Sequence, residues 1–181
     1  MNKFNSKMSL KDFAIAVATE LKEHGIDVVL TGGAVVSIYS ENKYVSNDAD
    51  FLSASDHQNI VKAMQTIGFT NKGKDFFHSS TKFSVEFPGR TLIIGNAPMK
   101  ATGSIKENGF TLRLLSPTQC VMDRLAAFYY WNDRQSLQQA LLVAENHPVK
   151  LNEIKKWSEN EGETSKFQEF LDGVKRKKGR R

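Results

Sequence analysis

Asp48 and Asp50 stand one residue apart at the head of an apolar run, Asn47-Asp48-Ala49-Asp50-Phe51. In an extended strand alternate side chains share a face, so these two carboxylates point one way while Ala49 and Phe51 point the other, toward a core. Carboxylates held side by side repel each other and raise each other's pKa unless a cation lies between them. Hard oxygen donors one strand step apart suit Mg²⁺, which keeps several waters and takes further ligands from substrate phosphates. Upstream, Val28 and Val29 run into Gly32-Gly33, and a short apolar helix candidate follows, Ala34 to Tyr39. A glycine backbone can approach a phosphate closely, and the free N–H groups of a helix start favour an anion. The chemistry open to this stretch is therefore that of a metal ion and a phosphate.

A third acid is offered further on. In Lys82-Phe83-Ser84-Val85-Glu86-Phe87 the apolar residues alternate with Ser84 and Glu86, so Glu86 faces away from Phe83, Val85 and Phe87. If the two strands are neighbours, Glu86 can face the aspartate pair and the three carboxyl groups should converge on one cleft, with metals held within ~4 Å of each other.

Gly-Gly, a short helix, Asp-x-Asp on a strand and a later strand acid resemble the nucleotidyltransferase (polymerase-beta-like) superfamily. The resemblance leans toward small bacterial members related to the abortive-infection (type IV toxin) and minimal nucleotidyltransferases. It covers roughly the first two-thirds of the chain and extends more weakly into the helices beyond. The spacer between Gly-Gly and the aspartates is a little long, Gly33 stands where many relatives have Ser, and Tyr44 where many have Arg. The resemblance implies transfer of an NMP from an NTP to an acceptor hydroxyl of RNA, protein or a small molecule. Two Mg²⁺ ions would be held by Asp48, Asp50 and Glu86, and the nucleotide by Gly32, Gly33, Ser37 and Arg124. Met122-Asp123-Arg124-Leu125-Ala126-Ala127 is similar to a segment where relatives carry a basic residue before Leu-Ala. Asn132-Asp133-Arg134 is similar to their Lys/Arg-Asp pair, with Ser136 in place of a second Asp. Positions 124 and 131 share a helical face, which reads either as a basic and aromatic wall over a nucleotide or as an ordinary salt-bridged surface. The alternative to an enzyme is a degenerate nucleotidyltransferase fold acting as a binding module or toxin–antitoxin partner.

Around these residues the elements fall in order. Ser9 reads as an N-cap with Asp12 in the first turn, Phe13, Val17 and Leu21 recur at helical spacing, and Gly25 is a stop. Ile26 to Thr31 is a strand candidate. Ser55-Asp56 can cap a helix carrying Ile60, Val61, Met64 and Ile67, ended by Gly68. Asn71-Lys72-Gly73 reads as a hairpin turn. Phe83 to Phe87 is a strand stopped by Pro88-Gly89, with Thr91 to Ile94 as its partner; Asn96 to Asn108 reads as loop, and Phe110 to Leu114 as a last strand. From Ser116-Pro117-Thr118-Gln119, a capping-box signature, the chain turns helical to about Glu145, as one helix or as two broken near Trp131-Asn132-Asp133. Two more helices span Leu151 to Asn160 and Thr164 to Val174. The expectation is an α+β fold: a mixed sheet flanked by helices over residues 1–114, a helical region over 115–174 and a disordered basic tail over 175–181.

At 181 residues, 40% hydrophobic and 25% charged, the chain has the composition of a globular domain. Its net charge of +5 is concentrated in the last seven residues, Lys175-Arg176-Lys177-Lys178-Gly179-Arg180-Arg181, which could attract RNA or serve only solubility. One cysteine, Cys120, forms no internal disulfide and fits a reducing cytoplasm. No apolar run approaches the ~20 residues of a membrane span, and the first residues lack the apolar core of a signal peptide, so a cytoplasmic location without membrane contact is expected. His24, His57, His78 and His147 show no metal-ligand spacing, and no GxxxxGK[ST] loop is present.

Overall fold

The structure, a computed structural model, describes residues 3–107 and 109–179. Helix α1 (Leu10–Glu23) starts where the sequence places its cap: Ser9 and Asp12 form a reciprocal capping box. Its buried stripe of Phe13, Val17 and Leu21 is fully enclosed, and each such side chain stabilises the fold by about 1.5–3 kcal/mol relative to exposure. Phe13 lies 6.0 Å from Phe4 and 5.3 Å from Phe83, ring centre to ring centre, so aromatic contacts hold α1 against the N-terminal segment and against the residue that leads into the strand beginning at Ser84. The chain then forms β1 (Val29–Thr31), α2 (Gly32–Tyr39), β2 (Asp48–Leu52), α3 (His57–Thr66), β3 (Thr70–Lys72), β4 (Asp75–Phe77) and β5 (Ser84–Gly89). Two short strands, β6 (Ile93–Ile94) and β7 (Ala97–Pro98), precede β8 (Gly103–Glu107) and β9 (Phe110–Leu114). Among the described residues four helices follow: α4 (Pro117–Trp131), α5 (Arg134–Asn146), α6 (Leu151–Asn160) and α7 (Thr164–Lys178).

Seven strands form one mixed sheet in the order β3-β4-β5-β2-β1-β9-β8. β2 runs parallel to β5 and antiparallel to β1, while β1 runs parallel to β9. Register decides which side chains share a face, because directly paired residues project the same way. Phe76, Val85 and Ala49 pair in a row across β4, β5 and β2, and all three are fully buried. The next row, on the opposite face, is Asp75, Glu86, Asp50 and Thr31. With its helices the chain is the α+β fold expected. Among the described residues no helix is long and apolar enough to cross a membrane.

The sheet departs from the sequence reading in three places. Thr91 to Ile94 does not pair with the strand of Glu86; β6 pairs with β7 in a separate two-stranded sheet. β5 also runs through Pro88 to Gly89, because the register slips from Asp50↔Glu86 to Leu52↔Gly89. Two steps on β2 against three on β5 make a bulge, the setting in which a strand tolerates proline. The stretch read as loop contains β8, an edge strand paired with β9. Its glycine, Gly103, is required by close backbone approach, since a Cβ there would stand 2.7 Å from the Leu115 carbonyl oxygen.

The helices fit the sequence more closely. α4 and α5 are separated at Asn132, whose left-handed φ of 52° ends α4, and Asp133 caps α5. α7 continues to Lys178, so the stretch expected to be disordered from 175 is helical through 178. Its last turns are anchored by buried Val174 and by the ion pair of Lys177 with Glu145, at 2.9 Å. Arg180 and Arg181 lie outside the described residues.

Replacing Phe13 by Ala should lower the unfolding free energy by about 3–5 kcal/mol. Phe110→Ala, removing a ring that is 46% exposed, should cost within about 0.5 kcal/mol. Urea denaturation of both variants checks the ranking.

Candidate functional site

The chain leaves β1 at Thr31 and turns at Gly32 with φ +66°, a conformation that disfavours a side chain. The turn brings the glycine Cα against Asp50: a Cβ at Gly32 would lie 2.4 Å from Asp50 Oδ2. Thr31 is the N-cap residue of α2 without a side-chain cap, and its hydroxyl instead donates to the Asp50 carbonyl at 3.2 Å. The N-terminus of α2 is thereby fixed beside the carboxylate, its first N–H groups uncapped by Thr31. Gly33 lies one residue on, where a Cβ would meet Ser46 Oγ at 3.2 Å and the Tyr44 hydroxyl at 3.3 Å.

Asp48 is exposed, and Ser46 Oγ donates to its Oδ1 at 2.8 Å. Asp50 is half-buried. Burial first, then the charges of Asp48 and Glu86, push its carboxyl up to about 6, against the opposing pull of Arg124 and Lys74. Glu86 lies directly across the parallel pair from Asp50. Its Oε2 accepts from Lys74 Nζ at 2.8 Å, and Lys74 stands in the turn between β3 and β4. The second cation comes from α4. Arg124 reaches Asp123 Oδ2 through Nη2 at 2.6 Å and Gln139 Oε1 through Nη1 at 3.3 Å.

Asp48, Asp50 and Glu86 therefore share one face of the sheet, as their alternation implies, with Gly32 against Asp50 and Arg124 electrostatically within reach. Among the described residues, however, no three His, Cys, Asp or Glu side chains are gathered closely enough to hold a metal ion. The donor set is still one that fits Mg²⁺, which takes one or two carboxylates and completes its shell with water and phosphate. A cation would also relieve the rise that burial and the neighbouring charges impose on Asp50.

Other residues singled out from sequence lie elsewhere. Ser37 is 1% exposed and donates to Asn42 Oδ1 at 3.1 Å, so its hydroxyl is used inside the protein and is not presented to a nucleotide. It falls on the inward side of a short helix that is buried along most of its length. Asp133 caps α5 through Gln135 N and Ser136 N, with Ser136 Oγ donating at 2.7 Å. That hydrogen bond, above other causes, holds the carboxyl below its ordinary range. Tyr129 is buried against Ser158, Tyr130 bonds Glu161 and Asn96, and Trp131 stands out to solvent at 77% exposure. Of the three rings only Tyr129 is in the core. Sequence reasoning missed Ser46, Lys74 and Asp75. Asp75 pairs directly with Glu86, and the neighbouring row sets exposed Phe77 beside Ser84 and Asp48. The Gly73 turn was the available signal, but only the strand order shows what the hairpin lies against.

Residues 10–81 match the model of a family described as a nucleotidyl transferase of unknown function (DUF2204). That segment contains Gly32, Gly33, Asp48, Asp50 and Lys74, and ends before Glu86 and Arg124. Among solved structures the fold is similar to that of an antigenic nucleotidyltransferase-like protein from Paracoccidioides brasiliensis, with a TM-score of 0.57 at 15% sequence identity over 77% of each chain. No curated protein matches the chain. The resemblance to the nucleotidyltransferase superfamily, drawn first from Gly-Gly and Asp-x-Asp, is thus supported by a matching family model and by a shared fold.

The site makes a pH-dependent prediction. An acid bound more tightly to its proton in the fold than in the unfolded chain adds stability at low pH. That contribution is lost as pH rises from the ordinary value of 3.8 through about 6. Asp50→Asn should therefore match or exceed the wild-type melting temperature at pH 8 without divalent metal, and the gain should vanish near pH 4. Melting curves of both proteins at the two pH values check the sign.

Proposed function

We propose that this nucleotidyltransferase-fold chain is an enzyme that moves an NMP from an NTP to an acceptor hydroxyl. The observation that carries the proposal is Asp50, held against the left-handed Gly32 turn with Asp48 beside it on β2 and Glu86 opposite it on β5. In the reaction the acceptor oxygen forms a bond to the α-phosphorus while the bond to the pyrophosphate oxygen breaks in line. Asp48, Asp50 and Glu86 would hold two Mg²⁺ ions, whose chemistry is to lower the acceptor's pKa and neutralise the departing pyrophosphate. Backbone N–H groups at Gly32 and Gly33 bind and orient the triphosphate. Glu86, opposite Asp50, is suited to take the acceptor proton. Arg124, held by Asp123 and Gln139, faces the same charge and contributes to the anion grip.

RNA is the acceptor class that the surface charge favours. Exposed Lys175 and Arg176 on the last turns of α7 support RNA through phosphate contacts. A second reading, a binding module or toxin–antitoxin partner without transferase activity, is favoured by two observations. Tyr44 packs against Gly33, and Glu86 is already engaged by a lysine.

Incubating the protein with each labelled NTP, Mg²⁺, total RNA and total protein tests the first reading and reveals the acceptor. Asp50→Asn should reduce labelling by more than ~100-fold, since loss of outer-shell partners of a metal costs 10–100-fold already. No labelling, together with no Mg²⁺-dependent nucleotide binding by the wild type, hands the case to the module.

A further inference from the structure

We propose that Lys74 is a resident counter-cation of the carboxylate row, bound to Glu86 in the metal-free protein and displaced from it when a divalent ion binds. The proposal rests on the reading of Asp48, Asp50 and Glu86 as metal-binding carboxylates. Three features of the hairpin support it. The turn between Lys72 and Asp75 is tight, with Gly73 at φ +65°, and it brings the lysine over β5, where Nζ lies 2.8 Å from Glu86 Oε2. The two partners differ in exposure. The Lys74 side chain is 73% exposed and can swing into water without unpacking anything, whereas Glu86 is 18% exposed and fixed by its strand. The lysine also answers a local excess of negative charge. Asp75, Glu86 and Asp50 pair in sequence across three strands, with Asp48 one strand step away, and Lys74 is electrostatically coupled to Glu86, Asp75 and Asp50.

An ammonium and a divalent ion cannot share one carboxylate oxygen at full strength, because both take the same lone pairs and repel each other. Lys74 therefore holds the row together while no metal is bound, and it sets the affinity at which metal enters. Once displaced, it remains on a flexible stem at the edge of the site.

The test uses Mn²⁺ as the probe, titrated into nucleotide-free protein and followed by calorimetry and by melting temperature. Lys74→Ala should bind Mn²⁺ about 3- to 10-fold more tightly than wild type. It should also melt slightly lower without metal and gain more on its addition. Lys74→Arg, which keeps the charge, should behave like wild type. Asp50→Asn is the control for the site itself. If the wild type binds Mn²⁺, Asp50→Asn does not, and Lys74→Ala binds equally or more weakly, the metal reading stands and the role of Lys74 is overturned. If no Mn²⁺ binding is found in wild type or in Lys74→Ala, the metal reading falls and this inference falls with it. Binding by Lys74→Ala where wild type shows none supports the competition in its strongest form.

Discussion

Asp50 and Glu86 face each other across neighbouring parallel strands with Asp48 one step along, and like charges so placed destabilise a sheet unless something positive answers them. The surroundings are built around that repulsion. Lys74 answers it from the hairpin side and Arg124 from α4, yet the Asp50 carboxyl still stands at about 6. Burial is the larger part of that rise and the neighbouring charges of Asp48 and Glu86 the smaller.

What fixes the carboxylates in place is the other side of the sheet. Ala49, Phe51, Val85 and Phe76 are fully buried, and a slip of one residue in β2 would turn Phe51 to solvent and Asp50 into the core. Burying those apolar groups therefore selects the register that sets Asp50 opposite Glu86. The bulge at Pro88 comes just after Glu86, so the irregularity in β5 begins only once the acid has been aligned. Gly32 adds a steric lock. With no side chain at that turn, the start of α2 can lie against Asp50 Oδ2, and any other residue would need both a strained φ and a displaced carboxylate.

Much of this arrangement was legible in the residues, because its parts are local. The N-cap at Ser9, the capping box at Ser116 and the alternation around Asp50 and Glu86 each depend on a few consecutive residues and appear where the pattern places them, and of the two readings left open beyond Ser116 the structure takes the one broken at Asn132. The misses are non-local or ambiguous. β8 is a short edge strand whose glycine answers to the Leu115 backbone, and β6 is two residues long, so neither carries a sustained period. Ser37 was named through resemblance, but a position four residues past Gly33 turns inward on this helix. Lys74 and Asp75 matter only because β4 lies beside β5, and strand order is not written in any local pattern.

The helical half is joined to this chemistry more closely than its composition suggests. Tyr39, at the end of α2, donates to the Leu115 carbonyl at 2.7 Å, and His147 Nε2 stands 2.9 Å from the Tyr39 carbonyl oxygen. The helix that begins at the Gly-Gly turn is thus bonded at its far end to the segments flanking α4 and α5. Arg124 is oriented in turn by Asp123 on its own helix and by Gln139 on α5, the helix that Asp133 caps. Replacing the acid cap would act on Arg124 both through that chain of contacts, by loosening Gln139, and directly, by removing a charge that interacts with the guanidinium. The two ends of α2 therefore divide the work: the first sets its uncapped N–H groups beside Asp50, and the last holds the helices that bring a guanidinium within electrostatic range of the same carboxylate.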